Sequence, residues 1–388
     1  AHISVDGVAS FLHLDDLGDV SSQSTEVYGH AGEIRLSAAE TLIYQGSLSG
    51  QAASANGAGG QLSVAIDPQQ RSAGNVADAV LNPNPFPRGK RTLVVADFEG
   101  VTAGADEAIA PELNGKAFVP LQAAQQGGFE SLSLAARSEV ENNAPVTLES
   151  TSSIEFPEDV SLNFGQRIVL DAPILETASA DVDLESTYVS IGSTESLFDL
   201  NGSIPQEEIV FGNSTPIVLL PEAGQGSLQV DADFIELVGG TVTQGFGTAG
   251  SGTPGVELTS RGDIRLRGKR VRAGNTFEGS LKTAGDLRLE AERIYPTTLT
   301  RFNLDVVGAG GQVDIVSAGG QSTALPLSIG GSLDIQADII RQGGRLLAPL
   351  GEINMQAASE IDVAAGSLTS TSAAGLNAPF GRTEPGGS

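Results

Sequence analysis

The sequence predicts an all-β chain wound as a right-handed parallel β-helix, a solenoid with loop excursions, and three observations predict it. A strand opener of glycine, polar, apolar, polar, apolar recurs along the chain. Two copies, Gly331-Ser332-Leu333-Asp334-Ile335 and Gly351-Glu352-Ile353-Asn354-Met355, start 20 residues apart. The composition suits stacked strands: 49 glycines supply corners, while aromatics make up only 5% and Trp is absent. The apolar residues are mostly Val, Ile, Leu and Ala, which pack on a pleated surface without large rings. Finally, no ten-residue stretch carries capped helical periodicity, and glycines interrupt nearly every candidate.

The opener appears first as Gly32-Glu33-Ile34-Arg35-Leu36 and Gly60-Gln61-Leu62-Ser63-Val64. It returns at Gly226, Gly262, Gly285 and Gly311, and the glycines from Gly262 to Gly351 stand 23, 26, 20 and 20 residues apart. Similarity at that period is the mark of a solenoid. Each copy alternates apolar and polar residues, as a strand with one buried face does. Second strands such as Phe234-Ile235-Glu236-Leu237-Val238 follow, then a glycine turn and a third apolar pair, as in Gly343-Gly344-Arg345-Leu346-Leu347. Three short strands in roughly 20 to 25 residues make one rung, and each opener is expected to start one. Rungs stack about 4.8 Å apart, so 388 residues would make a rod of about 60–80 Å. Right-handed winding follows from the handedness of parallel crossovers.

Residues 1–388 read as a single segment. Regularity is poorest over 67–120, an excursion from the solenoid broken by a strand at Thr92 to Val95. Its turn material, Asn82-Pro83-Asn84-Pro85-Phe86-Pro87-Arg88, cannot sit in a central strand. A second irregular stretch, Thr241 to Pro254, reads as a loop. The middle third, Gly128 to Leu220, keeps strand alternation with weaker glycine marking, and 381–388 reads as a disordered tail.

Chemistry is sparse. The absence of cysteine excludes disulfides, thiolate metal sites and cysteine nucleophiles. Net charge of −27 argues against nucleic acid and anionic membranes, whose binding needs cations. No stretch approaches the roughly 20 apolar residues of a transmembrane segment. His2, His13 and His30 are spaced for no compact metal motif. Two pairs of acids, Asp15 with Asp16 and Asp181 with Asp183, fit a solvated acidic surface better than a glycosidase pair across a cleft. The tyrosines, Tyr28, Tyr44, Tyr188 and Tyr295, are dispersed, so no sugar platform is evident. The reading is therefore non-enzymatic and without cofactor. Calcium has one possible set of loop ligands in Asp15, Asp16 and Asp19. Contact residues are sought on the excursion, where Pro83, Pro85 and Pro87 stiffen a tip bearing Phe86 as apolar anchor and Arg88, Lys90 and Arg91 as cations.

Four C-terminal phrases point to a family: Arg293-Ile294-Tyr295-Pro296-Thr297-Thr298, residues 326–333 (PLSIGGSL), residues 344–351 (GRLLAPLG) and residues 366–370 (GSLTS). They resemble the repeat region of filamentous-haemagglutinin-like large exoproteins of Gram-negative bacteria. The resemblance implies a long right-handed parallel β-helix, exported unfolded through the outer-membrane transporter of a two-partner secretion system. It implies a secreted or outer-surface adhesin that contacts host cells, glycans or biofilm matrix. The alternatives are a passive stalk in a contact-dependent toxin-delivery exoprotein and a polysaccharide-processing β-helix enzyme. The secretion-domain motifs of complete members are not seen, and Asn82-Pro83-Asn84-Pro85 only echoes them, so the chain reads as an interior or carboxyl-proximal segment.

Overall fold

The computed structural model describes residues 2–14, 23–68, 90–100, 110–138, 151–194, 220–270, 277–319 and 324–374. The fold is all-β, with Leu121–Gln126 the one α-helix among the described residues. Asp15, Asp16, Asp19, Phe86, Arg88 and the tail 381–388 lie outside them.

Nearly all the pairing is parallel and gathers into three ladders. The first carries Glu33–Ala38, Gly60–Ile66, residues 131–136, 167–171, 188–192, 234–238 and 264–267, then Arg293–Pro296, Leu346 and Leu368–Ser370. The second runs through residues 160–164, 181–186, 227–232, 256–260, 286–291, 312–317, 339–342 and 360–363. Thr92–Val94, Ser153–Phe156, Ile174–Thr177 and residues 240–244, 277–283, 300–306, 332–337 and 352–357 make the third.

One strand shows how the ladders join. Ser227–Gln244 pairs through residues 228–232 on the second ladder, 235–238 on the first and 240–242 on the third. Sharing of this kind closes Ser227–Gln244, Pro254–Ser260, Asp286–Ala291, Gln312–Ser317, Ser332–Gln342, Thr300–Val306 and Phe277–Thr283 into a ring of parallel pairs.

The core is the set of inward positions. Leu62, Leu132, Ile168, Val189, Ile235, Ile264 and Ile294 follow one another in register, each at most 1% exposed. Branched aliphatics stacked on their own kind fill such a column without voids. Leu333 and Ile335 are buried as expected, and their partners Ile353 and Met355, in the last described layer, are half-buried.

The structure departs from the sequence reading in three ways. The openers do not mark one place per rung. Those at Gly32, Gly60 and Gly262 lead into the first ladder, at Gly226, Gly285 and Gly311 into the second, and at Gly331 and Gly351 into the third. The motif encodes a strand with one buried face, a demand shared by every ladder. Thr241 to Gln244, expected in a loop, completes the strand Ser227–Gln244. The ten strands of the first ladder, at about 4.8 Å each, make a stack of roughly 45 Å, shorter than expected because successive strands stand up to 70 residues apart in the chain.

Within the excursion, Thr92–Val94 and Lys116–Phe118 are strands. Lys116–Phe118 lies between Thr41–Leu42 and Thr92–Val94, out of chain order. Antiparallel pairing is confined, among the described residues, to Ala9–Leu14 with Gln23–Tyr28 and Lys269–Arg270 with Phe277 and Glu278. No helix of the described residues is long and apolar enough to cross a membrane.

Candidate functional site: an arginine–aromatic wall

Alternation along the first ladder sends every second side chain outward. Arg167, Tyr188 and Phe234 therefore fall on one column, and Ser190, Glu236, Arg265 and Tyr295 on the next. The Tyr188 and Phe234 rings stack at 6.0 Å with planes 7° apart. The Arg167 guanidinium lies 5.3 Å from the Tyr188 centroid and the Arg265 guanidinium 5.0 Å from that of Phe234. The result is a cation–ring–ring–cation pile along the stack, each cation over the negative face of a ring.

Glu236 anchors the pile from beneath at 2% exposure. Its Oε2 accepts the Tyr188 hydroxyl at 2.8 Å and pairs with Arg267 at 3.0 Å, while Oε1 accepts Arg265 Nε at 2.6 Å. A buried carboxylate is tolerated only when so paired. A second Arg265 nitrogen reaches Oε1 at 2.6 Å as well, so the carboxylate fixes the directions of the Arg265 and Arg267 guanidiniums. Lower on the wall, Arg293 grips Asp263 with Nε and a second nitrogen, each at 2.7 Å, and donates to the Ala324 carbonyl at 2.7 Å. Arg167 makes no ion pair among the described residues.

Burial, followed by the Glu236 charge, raises the Tyr188 pKa. Tyr295, 9% exposed, is pushed up to about 12, by burial first and then by Asp263. Both phenols stay neutral through the physiological range, so the wall presents fixed cations and ring edges. The shift also sets a pH dependence. The folded chain holds the Tyr295 proton where an unfolded tyrosine releases it near pH 10. This stabilisation is complete below about pH 10 and is lost between about 10 and 12, by on the order of 2 kcal/mol. Denaturant midpoints recorded from pH 9 to 12 should fall, and Tyr295→Phe should flatten that fall. An equally steep fall in the variant would assign the effect elsewhere.

The residues singled out in the sequence are distributed differently. Lys90 Nζ bonds both Glu176 carboxylate oxygens at 2.6 Å. Arg91, 1% exposed, pairs with Glu40 at 2.8 Å and donates to the Ala39 carbonyl at 3.1 Å. The two cations are thus engaged within the fold by different acids. His2 bonds Ser47 Oγ at 2.8 Å, and His30 Nδ1 accepts the Ala58 amide at 2.8 Å. Asp181 accepts from Ser227, and Asp183 is exposed on the same strand. Among the described residues, no three His, Asp or Glu side chains come together to hold a metal.

The wall itself was invisible as a motif. Phe234 and Glu236 alternate on one strand and Arg265 and Arg267 on another. Only the inter-strand register, offsets of 46 and 29 residues, puts them beside Tyr188. The available signal was six aromatic or charged residues, Arg167, Tyr188, Phe234, Glu236, Arg265 and Arg267, at outward positions of four strands. No family model matches this chain, and no curated protein or solved structure does.

Proposed function

We propose that the chain is a segment of a secreted or cell-surface adhesin, built as a right-handed parallel β-helix that displays contacts toward cells, glycans or biofilm matrix. The observation that carries the reading is the passage of Ser227–Gln244 across all three ladders within 18 residues. A chain that turns through three walls and then pairs in parallel with its next passage winds as a coil. Right-handed winding is the sense that parallel crossovers favour. Such a stack is stabilised by neighbouring layers and leaves its outer walls free to vary. The arginine–aromatic wall supplies rigid groups at little ordering cost, as a contact surface requires. Export through a dedicated outer-membrane transporter, and a non-catalytic role, belong to the same reading.

Two measurements on the protein test it. Small-angle scattering should give an elongated particle. At micromolar concentration, the protein should bind some members of a panel of cultured cells and arrayed neutral and acidic glycans, releasing no reducing ends or unsaturated products. A particle with no long axis would overturn the architecture. Binding to nothing on the panel would overturn adhesion in favour of a stalk, and turnover of any glycan would make the chain an enzyme.

A further inference from the structure

The two strands that carry the centre of the basic wall also carry its electrostatic opposite. In Asp181–Ser193, residues 181–186 belong to the second ladder and 188–193 to the first. Tyr188 therefore faces out of one wall, while Asp181, Asp183 and Glu185 face out of the adjoining wall, all three exposed. Ser227–Gln244 repeats the division one layer on, with Asp231 and Asp233 exposed on the acidic side and Phe234 and Glu236 on the basic side. The acidic wall is only partly compensated. Arg261 takes Asp231 and Asp233, both at 2.5 Å, whereas Asp183 meets no cation among the described residues. On the other wall Arg265 and Arg267 share the carboxylate of Glu236, Arg293 takes Asp263, and Arg167 makes no ion pair among the described residues, leaving an excess of positive charge on a protein of net −27.

We infer that the basic wall of one molecule docks on the acidic wall of a second copy, so that the rods associate side by side. The two walls lie at the same height in the stack, because the same strands build them, so parallel rods bring them level. Contact would set Arg167 and the outer nitrogens of Arg265 and Arg267 against Asp181, Asp183 and Glu185. The stacked Tyr188 and Phe234 rings fix the spacing of the cations between layers. Since the two surfaces differ, the contact is heterologous, and repetition gives open rows rather than a closed pair. Net charge opposes association, but at physiological ionic strength the Debye length is about 8 Å. Distant walls are screened there while touching side chains still attract. The inference concerns the protein alone and stands or falls independently of adhesion.

Sedimentation velocity of the protein at 0.15 M salt should show a mass average that climbs with concentration, and 1 M salt should reverse the climb. Arg167→Glu and Asp183→Lys change exposed, outward residues and should leave the far-ultraviolet spectrum intact. Each alone should weaken association by roughly tenfold or more, about 1.4 kcal/mol. Mixing the two variants is decisive. The intact basic wall of the Asp183→Lys protein matches the intact acidic wall of the Arg167→Glu protein, and the two altered walls carry opposite charges to each other, so the mixture should associate where neither variant does alone. A wild-type protein that stays monomeric to its solubility limit would overturn the inference. So would association indifferent to both substitutions, or variants that fail to complement. Monomers that bind an acidic polysaccharide through Arg167 would reassign the wall to that ligand.

Discussion

Phe156→Ala is expected to lower the unfolding free energy by about 3–5 kcal/mol, the usual cost of emptying a buried phenylalanine site. Phe156 is fully buried at the end of Ser153–Phe156 and meets the ring of Phe246 edge-on at 6.4 Å. The cavity cannot collapse easily, because the strand is held on both sides, by Thr92–Val94 and by Ile174–Thr177. Its carbonyl also accepts the Thr177 hydroxyl at 2.8 Å. The same truncation at Ile361, which is 45% exposed in the last described layer, should cost well under about 1.5 kcal/mol, since little surface is removed from water in the first place. Equilibrium unfolding in guanidinium, followed by far-ultraviolet circular dichroism, measures both. Equal losses at the two sites would mean that the interior columns are not tightly packed.

The contrast between those sites indicates what the sequence could convey. Alternation is a local property, so the strands and their inward residues were legible. Leu333 and Ile335, or Leu62 and Val64, announce a buried face without any knowledge of their neighbours. Class was legible for the same reason, since glycine-rich alternation without helical periodicity leaves little else. The order of stacking was not. The distance from one first-ladder strand to its partner is 21 residues at Ile168 and Val189 but 70 at Leu62 and Leu132. A loop of any length can leave a corner and return, because closing a longer loop costs only slowly more entropy. Nothing local records where it returns. Lys116–Phe118, inserted between two strands that precede it in the chain, is the extreme case.

The candidate site inherits that difficulty. Arg167, Tyr188, Phe234 and Arg265 span 99 residues, and no spacing rule joins them. Each is unremarkable as an outward residue of its own strand. They become one surface through parallel register, which keeps equivalent positions in columns. Lys90 and Arg91 pose the converse problem of scale. Their closeness in sequence suggested a cationic tip, but alternate directions of the backbone send one to Glu176 and bury the other against Glu40.

The second large effect is expected at Gly245, where Gly245→Ala should cost at least about 3 kcal/mol. The residue sits at φ +84°, a conformation that costs an L residue roughly 1–2 kcal/mol. That penalty is the smaller part. A Cβ there would lie 1.8 Å from the Thr177 carbonyl oxygen, and the obstacle is backbone that cannot swing aside. Thr177 is fixed in turn, its hydroxyl bonded to the Phe156 carbonyl and to the Ala180 amide, each at 2.8 Å. Gly245 is tied as well, donating to the Glu222 carbonyl at 2.8 Å and accepting from the Gly226 amide at 3.0 Å. Relief would require prying the corner open across adjoining layers. Gly252 provides the control, with nearly the same φ of +82° and nothing within 4 Å of its virtual Cβ. Gly252→Ala should therefore show the conformational penalty alone, about 1–2 kcal/mol. Midpoints of guanidinium unfolding for the two variants separate the terms. If both lose the same amount, the corner yields where the geometry says it cannot, and the close approach at Gly245 is not what holds these layers together.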